Sequence, residues 1–240
     1  MSMDTNTIII QKTTIQRLLK DIKDIKKEPL NSHGIYYTHS DSDMLKGYCL
    51  IIGPKNTPYQ FGNYFFEINY PHDYPFRPPV LKYLTNDSIT RFNPNLYKNG
   101  KVCISILNTW QGPQWSACQN ISSILLSLSC MVFVKNPLLN EPGITVEHSD
   151  FFNYNKIIQY KNIDVAINQM LTSNYIKSTM PELHLIAINE FKINFPDIIK
   201  YIDSIYLLPS FIQTEIYHMS INIDYKKTKQ QCINIFNDLC

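Results

Sequence analysis

Apolar residues recur every three to four positions over 13–27, gather into short strand-like runs from 34 to 84, and return to helical spacing beyond Asp150. In the first stretch Ile15, Leu18, Leu19, Ile22 and Ile25 fall on one side of a helix, with Arg17, Lys20, Lys23, Lys26 and Lys27 on the other. Thr13 or Thr14 is placed to cap its start, and Pro29 ends it. Four runs of strand character follow, at 35–37, 48–52, 64–70 and 80–84. Gly53-Pro54, Pro58 and Pro71 mark the turns between them. No βαβ alternation appears, so the runs predict a four-stranded antiparallel meander.

An irregular stretch from Leu84 to Ile106 comes next, and one that long is uncommon unless it is functional. The apolar run 120–134 predicts a buried helix, too short to span a bilayer. Asn136-Pro137 breaks it. Helical periodicity then predicts segments near 153–172, 182–194, 197–207, 211–220 and 225–239. Pro181, Pro196 and Pro209 separate them, the first two suited to first turns of helices. Leu171, Ile186, Ile188, Phe191, Ile199 and Ile205 need burial, so this extension is expected to pack on what precedes it. The reading is an α+β fold in three parts: a disordered N-terminus at 1–11, a core domain at 12–150 and a helical extension at 151–240.

Composition narrows the function. The chain has 240 residues, 44% hydrophobic and 18% charged, with a net charge of +2. That balance gives no reason to expect nucleic acid or a membrane surface as partner. No basic start leads into an apolar run, so no signal peptide is expected. The six cysteines form no CxxC pair, and no histidine spacing suggests a zinc site. Scattered unpaired cysteines fit a reducing compartment, the cytoplasm and also the nucleus.

Cys103 stands apart. It ends the run Asn93-Pro94-Asn95-Leu96-Tyr97-Lys98-Asn99-Gly100-Lys101-Val102-Cys103. A cysteine acts as a nucleophile through its thiolate, and a free thiol has a pKa of about 8.5. Attack on an acyl group builds charge on the carbonyl oxygen, where a fixed donor contributes about 3–4 kcal/mol. The Asn95 amide is such a donor. The intervening Tyr-Lys-Asn-Gly reads as a turn that folds Asn95 back over the sulfur. The bland alternative is a small buried hydrophobe between Val102 and Ile104, the usual state of a free cysteine. That alternative is the reading for Cys49, Cys118, Cys130, Cys232 and Cys240.

Around Cys103 lie Thr57-Pro58-Tyr59, Gly62, Tyr74-Pro75-Phe76-Arg77-Pro78-Pro79 and Trp115-Ser116. In this order the pieces resemble the core of the ubiquitin-conjugating enzymes, over roughly residues 13–170. The Z-type branch is nearest, on Arg91-Phe92-Asn93-Pro94-Asn95, Gly100-Lys101-Val102-Cys103, Thr109-Trp110, Gly112-Pro113, Asn140-Glu141-Pro142-Gly143 and Phe152-Asn153-Tyr154-Asn155.

The resemblance implies that Cys103 accepts ubiquitin or a ubiquitin-like modifier as a thioester and that Asn95 serves the oxyanion when a substrate lysine attacks. It implies an activating enzyme that meets the first helix at Arg17 and Lys20, and a ligase that meets Phe76 and Ala117. Glu141 stands near the place of a carboxylate that helps position or deprotonate the lysine; its alternative is a plain surface carboxylate. No metal or small cofactor is implied, ATP being used upstream by the activating enzyme. Phe76 reads equally as a half-buried loop anchor, and Trp115 reads better as core.

Three departures stand out. Asn93 replaces the commoner His, Ala117-Cys118 replaces Pro-Ala, and Glu141 replaces Asp. The resemblance also points to a cis bond at Tyr74-Pro75. A catalytically inactive scaffold of the same fold would lack the cysteine. A cysteine hydrolase would need a general base; His33, His72 and His148 are available, but no hydrolase motif accompanies them.

Overall fold

Helix α1 (Lys12–Lys27) buries Thr14, Leu18, Asp21 and Ile25, a stripe at spacings of four, three and four. The computed structural model describes residues 10–206 and 208–240. The expectation for the N-terminus therefore lies outside the described residues, apart from Ile10 and Gln11. The buried stripe is rotated from the expected one. Leu19 is 53% exposed, and Asp21 takes a buried place because it is paired. Arg17 Nε donates to its carboxylate at 2.8 Å and the Tyr74 hydroxyl at 2.5 Å. Neither Thr13 nor Thr14 caps the helix. Gln11 occupies that position, and Thr14 Oγ1 donates to His72 O at 2.9 Å.

Strands β1 (Ile35–His39), β2 (Lys46–Ile52), β3 (Asn63–Asn69) and β4 (Val80–Tyr83) form one antiparallel sheet in chain order. Tyr37 faces Cys49, Cys49 faces Phe66, and Phe66 faces Tyr83, so one row of side chains crosses the sheet. The turn into β4 contains the Tyr74-Pro75 bond, which is cis.

Helix α2 (Ile121–Val132) starts with a capping box. Asn120 accepts from Ser123 N, and Ser123 Oγ accepts from Asn120 N, each at 2.9 Å. Its Ile121, Ile124, Leu125, Leu128 and Val132 are buried. Its C-terminal carbonyls, which have no partner within the helix, point to where the site is built.

The extension opens with α3 (Phe151–Lys161), runs on through a π-helical stretch (Asn162–Gln169), and ends in the short α4 (Met170–Thr172). Asn162 fastens this run to the core. It accepts from the Tyr64 hydroxyl at 2.6 Å and donates to Gln60 O at 2.8 Å. Gly62 is required beside it, because a Cβ there would lie 2.0 Å from Asn162 Oδ1.

After α5 (Asn174–Thr179), α6 (Pro181–Ser204) packs on β1 and β2. The two helices expected at 182–194 and 197–207 are thus one. Pro196 removes a rung at a cost of about 3 kcal/mol. Burial of Phe191, Ile198 and Ile202, each worth about 1.5–3 kcal/mol, offsets that loss.

The segment 211–220 is not a helix. Strands β5 (Ser210–Thr214) and β6 (Met219–Ile223) form an antiparallel hairpin before α7 (Tyr225–Leu239). Met219, Ile221 and Ile223 are buried while Ser220 and Asn222 are exposed, the period of two that a half-buried strand requires. Among the described residues no helix is long and apolar enough to cross a membrane.

Candidate active site

The irregular stretch after β4 folds into a short arm. Leu96 bridges Val102, Gly100 takes φ 88° at the tip, and Cys103 N donates to Asn95 O at 2.9 Å. The turn therefore brings Asn95 onto Cys103. Tyr83 N donates to Gly100 O at 2.7 Å, so the arm is docked on the edge of β4.

Three asparagine amides form a chain that ends on Cys103, and obligatory backbone partners fix the orientation of each. A backbone N–H only donates and a carbonyl only accepts. Asn95 N donates to Asn93 Oδ1 at 2.8 Å, which leaves Asn93 Nδ2 to donate to Val132 O at 2.8 Å. Asn140 Nδ2 donates to Met131 O at 2.7 Å and to Asn95 Oδ1 at 2.9 Å. The nitrogen of Asn95 is thereby turned to the cysteine and donates to Cys103 O at 2.6 Å. One of the two Nδ2 protons serves that bond, and no acceptor among the described residues takes the other. The carbonyls that orient this set, Met131 O and Val132 O, are the end of α2. The helix terminus is satisfied by the site, and the site is anchored by the terminus.

Cys103 exposes 2% of its surface. No imidazole among the described residues hydrogen-bonds its thiol. The other cysteines divide. Cys49 and Cys232 are buried, and burial drives both thiols upward, Cys232 to about 12. Cys118, Cys130 and Cys240 are exposed, against the expectation of burial. Each sits at a polar loop, an outer helix face or the chain end, where composition carries no burial signal.

Arg91 braces the arm from outside, donating to Asn93 O at 3.2 Å and Pro94 O at 2.6 Å. Its guanidinium lies 3.4 Å from the Tyr97 ring centre and 4.9 Å from that of Tyr217. Glu141, adjacent to Asn140, accepts from the Tyr217 hydroxyl at 2.5 Å. Tyr217 belongs to the β5–β6 turn, where it takes φ 60°, a left-handed conformation costing a non-glycine residue about 1–2 kcal/mol. Lys98 Nζ donates to Tyr217 O at 2.8 Å.

The partner residues expected from sequence fall into two groups. Lys20 is exposed on α1, and Phe76 (69% exposed) and Ala117 lie on the surface. Trp115 is half-buried, donating from Nε1 to Pro75 O at 2.7 Å and so joining the loops that carry Phe76 and Ala117. Arg17 differs. Besides Asp21 it donates to Ala117 O at 2.6 Å and to Gln119 O. It is a strut between α1 and the loop before α2, not a free charge on the basic face. Asn140, Arg91 and Tyr217 were not singled out from sequence. Arg91 and Asn140 belong to motifs that carry the resemblance, but Tyr217 lies in a segment whose spacing predicts a helix.

Residues 17–163 match the profile of the family described as ubiquitin-conjugating enzyme. Ubiquitin-conjugating enzyme E2 Z of Xenopus tropicalis is 46% identical over 160 residues, covering 65% of this chain and 50% of that protein. The protein of the same name in Homo sapiens is 45% identical over 158 residues, covering 65% of this chain and 44% of its own length. The solved structure of human ubiquitin-conjugating enzyme E2 G1 is 30% identical and spans 51% of this chain and 95% of that one, with a TM-score of 0.44. The chain spans about half the length of the curated relatives it matches.

Proposed function

The chain belongs to the ubiquitin-conjugating enzyme family, and on that premise we propose that it carries ubiquitin or a ubiquitin-like modifier as a thioester on Cys103 and passes it to a lysine. The modifier arrives as a thioester on an activating enzyme. The Cys103 thiolate attacks its carbonyl carbon, and the activating enzyme's sulfur leaves. A lysine amine then attacks the new thioester. The C–N bond forms, the C–S bond breaks, Cys103 departs as thiolate, and the amine gives up a proton to a nearby carboxylate, Glu141 in this reading. Free lysine has a pKa of about 10.4, so that proton must be lost at the site. The chain needs no metal or small cofactor of its own for these steps; ATP is spent upstream.

One observation carries the reading. The Asn95 amide nitrogen is aimed at Cys103 by a network whose polarity is fixed at every link. A donor held in place beside the cysteine would stabilise an oxyanion formed there without reorganising during the reaction. The partners follow from the same proposal. An activating enzyme would meet the α1 side through Lys20, and a ligase would meet the joined loops at Phe76 and Ala117. A hydrolase is less well supported, because no imidazole bonds the thiol. Incubation with activating enzyme, ATP and a panel of modifiers tests the proposal. A covalent adduct that thiols release is expected with at least one modifier; hydrolysis of thioesters without any adduct would refute it.

A further inference from the structure

The β5–β6 turn presents Tyr217 to the active-site arm, with His218 also left-handed at φ 48°. Tyr is not one of the residue types that adopt this backbone readily. The consequence is a side chain that touches both walls of the site. Its ring faces Arg91, which holds the carbonyls of Asn93 and Pro94. Its hydroxyl donates to Glu141 Oε2 at 2.5 Å. The backbone at this turn is tied down as well. Ile216 N donates to Asp150 Oδ2 at 2.8 Å, and Lys98 Nζ donates to Tyr217 O at 2.8 Å.

We infer that Tyr217 is a positioning residue for the transfer step, holding the Glu141 carboxylate in the orientation that receives the proton of the attacking lysine. The inference rests on the transfer reading proposed above. The phenol occupies Oε2 and leaves Oε1 open, and a carboxylate gripped at one oxygen no longer rotates freely into solvent. Such orientation is paid before the reaction, not during it. Burial, then the hydrogen bond and charge of Glu141, push the Tyr217 phenol well above its ordinary range. It therefore keeps its proton and donates at every pH where lysine transfer is measured. Asn140, the residue before Glu141, orients the Asn95 amide, so the carboxylate sits one residue from the side chain that orients the oxyanion donor.

Tyr217→Phe keeps the ring on Arg91 and removes only the hydroxyl. Discharge is followed from the purified Cys103 adduct over a range of free lysine concentrations, so the loading rate does not enter. The expected result is a maximal rate lower by about tenfold, a part of the usual general-base contribution. The half-saturating lysine concentration stays unchanged, as for an interaction made only in the transition state. In a Glu141→Gln background the same change is expected to cost nothing further, because the carboxylate it positions is gone. Wild-type discharge by Tyr217→Phe, or a second full loss in the double variant, would overturn the positioning role while the adduct still stands. Failure of the wild-type chain to form any adduct would overturn the transfer reading beneath it.

Discussion

Replacing Asn140 tests whether the amides around Cys103 are oriented as described. Asn140→Ala removes the donor to Asn95 Oδ1 and to Met131 O. Met131 is 41% exposed, so water replaces the donor there. Asn95 is 5% exposed, so its oxygen is left without one. An unpaired buried acceptor costs about 1–3 kcal/mol. For a chain of this size each kcal/mol lowers the melting temperature by about 2–4 °C, which gives a fall of roughly 2–12 °C.

Asn140→Asp is nearly isosteric, yet it should be worse than alanine. It sets a carboxylate against Asn95 Oδ1, Asn93 Oδ1 and Met131 O, all acceptors. Its pKa in the folded state would rise above the unfolded value of about 3.9. The penalty is therefore complete above that raised pKa and shrinks as pH falls. Thermal melts of the three proteins from pH 7 to pH 4.5, with lysine discharge in parallel, give the readout. Discharge should drop about tenfold in Asn140→Ala, equivalent to about 1.4 kcal/mol in the barrier. An Asn140→Asp protein as stable as wild type at pH 7 would show that the amide polarity is wrong.

Asn95→Ser should slow discharge onto lysine by about 100-fold or more while loading suffers less, the cost of one oxyanion donor; equal discharge from equal amounts of adduct would remove Asn95 from the mechanism. Arg17→Glu should destabilise the fold by about 3–5 kcal/mol, because it leaves buried Asp21 beside a second carboxylate. Lys20→Glu should change stability by less than about 0.5 kcal/mol and slow loading at low salt, the effect fading as salt screens it. Salt-independent loading in Lys20→Glu at the wild-type rate would mark the basic face as ordinary solvated surface.

The parts of the fold legible in sequence are those whose periodicity and punctuation agree. Strands β1 to β4 are short runs rich in aromatic and β-branched residues, Gly and Pro mark the connections after β2 and β3, and every end lies within two residues of its expected place. The segment 211–220 failed because two five-residue strands and a turn leave apolar residues at spacings that also fit a helix. The buried Met219, Ile221 and Ile223, with Ile212 and Thr214 on the partner strand, reveal the strand period. Pro196 misled in the opposite sense, since helix α6 absorbs one lost rung where packing is dense.

At the site, Cys103 and Asn95 share one local turn, and their meeting could be foreseen from the spacing. Asn140 lies 45 residues from Asn95, and Tyr217 lies 76 from Glu141. Such contacts depend on how the helix end and the hairpin are placed in space. Arg17 shows the same limit: helical spacing put it on the basic face, while a loop 100 residues away captured it.

The central claim is that Cys103 is the atom-bearing residue for the modifier. Chains carrying Cys103→Ala, Cys103→Ser and, singly, Cys118→Ala, Cys130→Ala and Cys240→Ala are charged with activating enzyme, ATP and the modifier that loads wild type. Peptide mass spectrometry then locates the adduct. A thiol-released adduct on Cys103 is expected in wild type and in the three exposed-cysteine variants. None is expected in Cys103→Ala, and Cys103→Ser should give a slower, thiol-resistant ester. A thiol-released adduct persisting in Cys103→Ala, or mapping to any other cysteine, would contradict the central claim.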